Sequence, residues 1–180
     1  MTNVVAMLRG INVAGHKPIK MADLRQSFEA LGFDNVRTYL QSGNIVFTLP
    51  QRWQSKLLGR IEDALRADFG FSIPVFVRTQ AEMESIVEGN PFLEKQGGDT
   101  SHLHVTFLGG PPPKAAVAKL AGKDAGSDEI KVVGREVYLH CPNGYGRTKL
   151  SNATIERVLG VPATTRNWRT TLALLELCRP

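Results

Sequence analysis

The chain has 180 residues, 42% hydrophobic and 22% charged, a globular composition that excludes a disordered protein and supplies one substantial core or two small ones. Its longest apolar runs, such as Val4 to Leu8, fall far short of the ~20 residues that span a bilayer, and no basic-then-apolar leader opens it, so a cytoplasmic protein without a membrane partner is expected. The net charge of +5 leans toward anionic partners without choosing among them.

Asn3 to Leu8 is apolar along Val4-Val5-Ala6-Met7-Leu8, the pattern of a strand covered on both faces, and should be internal in its sheet, between Ile45–Leu49 and Ile73–Val77. A long polar loop, Arg9 to Lys20, follows. Met21, Leu24, Phe28 and Leu31 then recur at helical spacing, with Gly32 as the stop. Val36–Leu40 and Ile45–Leu49 read as a hairpin whose turn, Gln41-Ser42-Gly43-Asn44, contains the glycine that a positive φ requires. Trp53, Leu57, Ile61 and Leu65 mark a second helix, and Ile73 to Arg78 a fourth strand after Gly70. Val46, Phe76 and Tyr39 fall on the sheet face opposite Phe47, Val75 and Val77, so that face should be covered by the other half of the chain or by a second copy.

Thr79 and Glu82 have the spacing of a capping box opening a short helix, Gln80 to Val87, which Gly89-Asn90-Pro91 ends. The second half then reads Leu103–Leu108 (strand), Ala115–Ala121 (helix), Ile130–Val133 and Val137–Cys141 (hairpin at Gly134-Arg135) and Asn152–Leu159 (helix). A last helix runs from Trp168 to Leu177. The repeated order of elements predicts an α+β protein of two ferredoxin-like (βαββαβ) subdomains with an additional C-terminal helix. The expected division is residues 1–78, a helical linker 79–101, and residues 102–180. His102, His104 and Thr106 alternate with Leu103, Val105 and Phe107, which gives the second sheet one polar face.

Three polar concentrations are candidate sites. Gly10 to Lys17 nearly spells a phosphate-binding loop, but its lysine comes one place late, Pro18 replaces the magnesium-binding hydroxyl and the helix waits until Met21, which excludes a nucleoside triphosphatase of that kind. What remains is a glycine-hinged basic loop where Arg9, Asn12, Lys17 and Lys20 can hold an anion. Asn143 to Lys149 contributes Arg147 and Lys149 ahead of a helix capped by Ser151 or Asn152, and Thr164 to Arg169 contributes Arg166 and Asn167 ahead of the last helix. No metal site is expected. His102 and His104, with Tyr138 and His140 on the same face, lack a completing carboxylate or thiol, and Cys141 and Cys178 read as reduced, unreactive thiols. Ser42 lacks the strand-turn-helix setting of a nucleophile, and Ile45-Val46-Phe47 has too few aromatics for a base-stacking platform.

Leu8-Arg9-Gly10-Ile11-Asn12-Val13, Gln41-Ser42-Gly43-Asn44-Ile45-Val46-Phe47, Lys149-Leu150-Ser151-Asn152 and Thr165-Arg166-Asn167-Trp168 closely resemble, in this order, the bacterial family called domain of unknown function 1697. The resemblance implies two ferredoxin-like subdomains and brings no activity, substrate or cofactor. Ala14 stands where the family usually has glycine, and Arg169 where it has asparagine. The motif positions and the basic loops together give the candidate ligand residues: Arg9, Asn12, Lys17, Lys20, Ser42, Asn44, Arg147, Lys149, Asn152, Arg166 and Asn167. The function expected is binding of an anion (a nucleotide, a phosphorylated metabolite or nucleic acid) at a basic site between the subdomains, where Arg9 and Asn12 face Lys149 and Arg166. The alternatives are an enzyme using Arg9, His16 and Lys149 on a phosphate or carboxylate, with Asp23 the nearest acid, and a homodimer or larger scaffold without ligand.

Overall fold

The computed structural model describes residues 1–50 and 55–180, and the expected helical position Trp53 lies outside them. Among the described residues the elements are β1 (Thr2–Leu8), α1 (Met21–Ala30), β2 (Asp34–Tyr39), β3 (Asn44–Leu49), α2 (Leu57–Phe69), β4 (Val75–Thr79) and α3 (Gln80–Glu88). They continue with β5 (Leu103–Leu108), α4 (Lys114–Ala121), β6 (Glu129–Val133), β7 (Glu136–His140), α5 (Asn152–Leu159), β8 (Ala163–Asn167) and α6 (Trp168–Cys178). They form two compact units, Met1–Glu84 with Leu174–Pro180, and Ser85–Ala173. Each contains a four-stranded antiparallel sheet, β2-β3-β1-β4 or β6-β7-β5-β8, so the chain is an α+β protein of two ferredoxin-like subdomains with a C-terminal helix. No helix among the described residues is long and apolar enough to cross a membrane.

In the first unit β1 is central, paired with β3 and β4, as its unbroken apolar run predicts. Val4, Ala6 and Leu8 meet Ile45, Phe47 and Val75 on one face, where Leu24 and Phe28 of α1 and Ile61 and Leu65 of α2 close the core. Phe28, Phe33 and Phe47 pack ring to ring, with centroids 4.6–6.0 Å apart. The opposite face carries Val5, Met7, Val46 and Phe76, all at most 2% exposed. The last turn of α6 is tied to this unit, because Asn3 Nδ2 donates to the Cys178 carbonyl at 2.8 Å. The capping box at α3 is reciprocal: Thr79 N–H donates to Glu82 Oε2 at 2.8 Å and Glu82 N–H to Thr79 Oγ1 at 3.2 Å.

The second unit differs from the sequence reading in three places. Thr164 to Asn167 is not only a polar run before a helix; with Ala163 it forms β8, antiparallel to β5. Its strand character is hidden because the threonine side chains are satisfied by the sheet itself. The face bearing His104 and Thr106 is not open and polar, since it also carries Val137, Leu139, Leu108 and Ala163 and is covered by Leu120 of α4 and Ile155 and Leu159 of α5. Thr106 is fully buried there, its hydroxyl 2.6 Å from that of Thr165. Tyr138 and His140 do not share this face, because the register sets His104 opposite Leu139 and Leu103 opposite His140.

Candidate functional site

Residues 9–20, twelve in all, connect β1 to α1. Their backbone enters the left-handed region at Gly10, Asn12, Ala14, Gly15 and Lys17, where three of the five are not glycine and each costs about 1 kcal/mol or more. The loop is nonetheless tightly held. Ile11 and Ile19 are buried in the core. Asn12 Oδ1 accepts from Ile19 N–H at 2.7 Å, while its Nδ2 donates to the carbonyls of Ile19 at 2.9 Å and Gln41 at 2.8 Å. His16 N–H donates to the Val13 carbonyl at 2.8 Å across Ala14 and Gly15, both at positive φ, the sign pattern of a type I′ turn. Asn12 therefore acts as the loop's internal strut, and the family motif around it is explained by folding.

The hairpin turn is docked against this strut. Leu8 N–H donates to the Gly43 carbonyl at 2.8 Å, and a Cβ on Gly43 would stand 2.7 Å from Ile11 Cδ1 and 2.9 Å from Leu8 Cβ. Asn44 is fully buried and donates to the Tyr39 carbonyl at 2.8 Å and to Ser42 Oγ at 2.9 Å. Of the first-half candidates, Asn12, Ser42 and Asn44 thus hold the loop and turn together, while Lys17 and Lys20 are exposed on the outside and Arg9 is half-buried. Lys17 Nζ lies 5.6 Å from the centroid of the Phe71 ring and donates to the Ser72 carbonyl at 3.0 Å. Arg66 reaches the same residue, Nε to Ser72 Oγ at 3.3 Å. No linear signal marks Arg66 and Ser72, which lie about fifty residues beyond the loop.

In the second unit Lys149 Nζ pairs with Asp124 Oδ2 at 3.0 Å, both side chains exposed. Arg147 is exposed. Asn152 Oδ1 accepts from Thr165 Oγ1 at 2.6 Å, and Tyr145 donates to the same hydroxyl at 3.2 Å. With its proton given to Asn152, Thr165 must accept from Thr106, which fixes the direction of that bond. Asn167 Oδ1 caps α6 by accepting from Thr170 N–H at 2.8 Å. Arg166 is buried on the opposite face; its Nη1 donates to Thr164 Oγ1 at 2.9 Å and to the Thr165 carbonyl at 3.0 Å, and burial pushes its pKa down to about 10. Among the described residues no group of His, Cys, Asp and Glu is placed to hold a metal. Cys141 and Cys178 are free, buried thiols, each pushed up to about 11 by burial.

His104 stacks on Tyr145 with ring centroids 4.9 Å apart and lines a cavity of about 620 Å3 together with Trp168, Arg169 and Leu172. Burial holds its pKa below the ordinary 6.5, against a smaller opposing pull from the His102 backbone. Below pH 6.5 the unfolded chain therefore binds a proton that the folded one resists, so stability should fall as pH drops through that value, well above the carboxylate range. Melting curves at pH 5 and 7.5 should show this loss in the wild type and a smaller one in His104→Gln; equal losses would mean that His104 is not the group responsible.

The two units repeat one junction. Leu8 and Arg9 donate to the carbonyls of Gly43 and Pro74, just as Leu108 and Gly109 donate to those of Arg135 and Pro162. Val5 pairs with Arg78 as Val105 pairs with Arg166, and both arginines are buried. Arg166 thus occupies a position that the fold fills twice in the same way.

The model of the family described as "Protein of unknown function (DUF1697)" matches residues 1–138. The chain belongs to this family. The motifs at Lys149–Asn152 and Thr165–Trp168 lie beyond the matched stretch. The chain is also similar to the solved structure of a conserved bacterial protein, SP0830, from Streptococcus pneumoniae, at 20% identity over 99% of both chains with a TM-score of 0.78, a likeness of fold. No curated protein matches the chain.

Proposed function

We propose that this DUF1697 protein is a cytoplasmic binding protein for an anionic ligand, held at the basic loop between β1 and α1. The observation that carries the reading is the contrast between equivalent junctions. The second unit goes from strand to helix with residues 109–113, Gly-Gly-Pro-Pro-Pro, whereas the first uses residues 9–20. The fold therefore needs five residues and no charge, and seven more are added that carry His16, Lys17 and Lys20, with Arg9 standing where the second unit has Gly109. Those residues are set on a framework fixed by Ile11, Asn12 and Ile19, the arrangement in which a binding loop loses least entropy on meeting its ligand.

A thermal-shift screen over nucleotides, phosphorylated metabolites and short oligonucleotides tests this. A ligand at about 100 times its Kd should stabilise the fold by ~2.7 kcal/mol, a rise of roughly 5–10 °C at this chain length. If the ligand is nucleic acid, the rise should fade steeply between low and physiological salt, because condensed counterions are released on binding. A screen in which no anion raises the melting temperature at low salt would contradict the proposal.

A further inference from the structure

We infer that Lys17, Arg66 and Ser72 form a subsite for a phosphomonoester. The inference rests on the anion-binding reading of the loop and names the group it would hold. Lys17 comes from the loop and Arg66 from the last turn of α2, yet both cations converge on one exposed residue, the ammonium on the Ser72 carbonyl at 3.0 Å and the guanidinium Nε on its hydroxyl at 3.3 Å. Bringing two like charges to one point opposes folding unless something offsets them. The carboxylate nearest Arg66 is Asp63, 3.9 Å from Nη1 and exposed, and Lys17 has no ion pair among the described residues. An ammonium has three donors and a guanidinium five, so each keeps several N–H groups free beside Ser72, whose hydroxyl can donate as well. A tetrahedral group with two negative charges and three terminal oxygens matches this set, whereas a carboxylate would satisfy the guanidinium and leave the ammonium unmatched. Half-buried Phe71, beneath the ammonium at 5.6 Å from ring centroid to Nζ, is packed against the core and fixes the floor of the subsite.

Amide NMR titrations with inorganic phosphate, AMP, adenosine and an oligonucleotide lacking terminal phosphates test the assignment. Phosphate and AMP should shift the amides of Lys17 and Ser72 and their neighbours, and adenosine should not. Arg66→Gln and Lys17→Gln should each weaken AMP about tenfold or more, the loss of one charged hydrogen bond, while Lys114→Gln, at an exposed cation of the second unit, leaves it nearly unchanged. Melting curves show whether each variant is folded; if Lys17→Gln is not, Arg66→Gln carries the test. Unchanged AMP affinity in Arg66→Gln together with a loss in Lys20→Gln would overturn the subsite and leave the binding loop standing. Binding of the oligonucleotide but of neither phosphate nor AMP would do the same. No shift anywhere with any anion would overturn both.

Discussion

Gly43→Ala should destabilise the protein by about 3 kcal/mol. Gly43 sits at φ +83, and an added Cβ would lie 2.9 Å from Leu8 Cβ and 2.7 Å from Ile11 Cδ1. An L-residue in that conformation costs ~1–2 kcal/mol, and a core forced to make room adds roughly 1–3 kcal/mol. The Ile11 terminus can rotate, but Leu8 Cβ is fixed by the central strand, so the overlap cannot be relieved by one rotamer change. At this chain length the melting temperature should drop by roughly 6–12 °C. Gly10→Ala is the control: its φ is +74 but no atom lies within 4 Å of the added Cβ, so it should lose only about 1 kcal/mol. Equal losses in the two variants would show that the turn and the loop are not packed as described.

Arg166→Ala is expected to cost about 3 kcal/mol as well, through the lost packing of a long buried side chain and through acceptors left unpaired. Arg166 is 8% exposed, and its guanidinium donates to the Thr164 hydroxyl and the Thr165 carbonyl. A pKa near 10 keeps it charged at neutral pH, so these are charge-assisted bonds. Arg166→Met, which keeps much of the volume, should lose less. Urea denaturation of the three proteins reads this ordering. If alanine left stability within about 0.5 kcal/mol, the range of ordinary surface changes, Arg166 would be a binding residue held for a ligand, as its place in a polar motif first implied.

Much of the architecture could be read from the residues because local rules and burial agreed. Val4 to Leu8 has no polar position, and the strand it forms is flanked on both sides. The capping box at Thr79 and Glu82 was legible from spacing alone. β8 was not, because Ala163-Thr164-Thr165-Arg166-Asn167 offers no apolar alternation; inside the fold Thr164 accepts from Arg166 and Thr165 pairs with Thr106, 59 positions away. The same blindness affected the candidate residues. Asn12 and Asn44 look like donors available to a ligand, and only the folded loop and turn show their amides bonded to backbone carbonyls. Conversely, nothing in the linear sequence singles out Arg66 or Ser72, and only the fold sets Lys17 beside them.

The binding role of the loop is tested most directly by replacing Arg9, Lys17 and Lys20 together with glutamine and measuring the melting temperature with and without the anion that stabilises the wild type most. The framework of Ile11, Asn12 and Ile19 is untouched by these changes, so the variant should melt without ligand within a few degrees of the wild type, on the order expected for surface substitutions. With ligand, its melting temperature should not rise. A variant that keeps the full ligand-induced rise would place the site elsewhere and contradict the assignment of the loop.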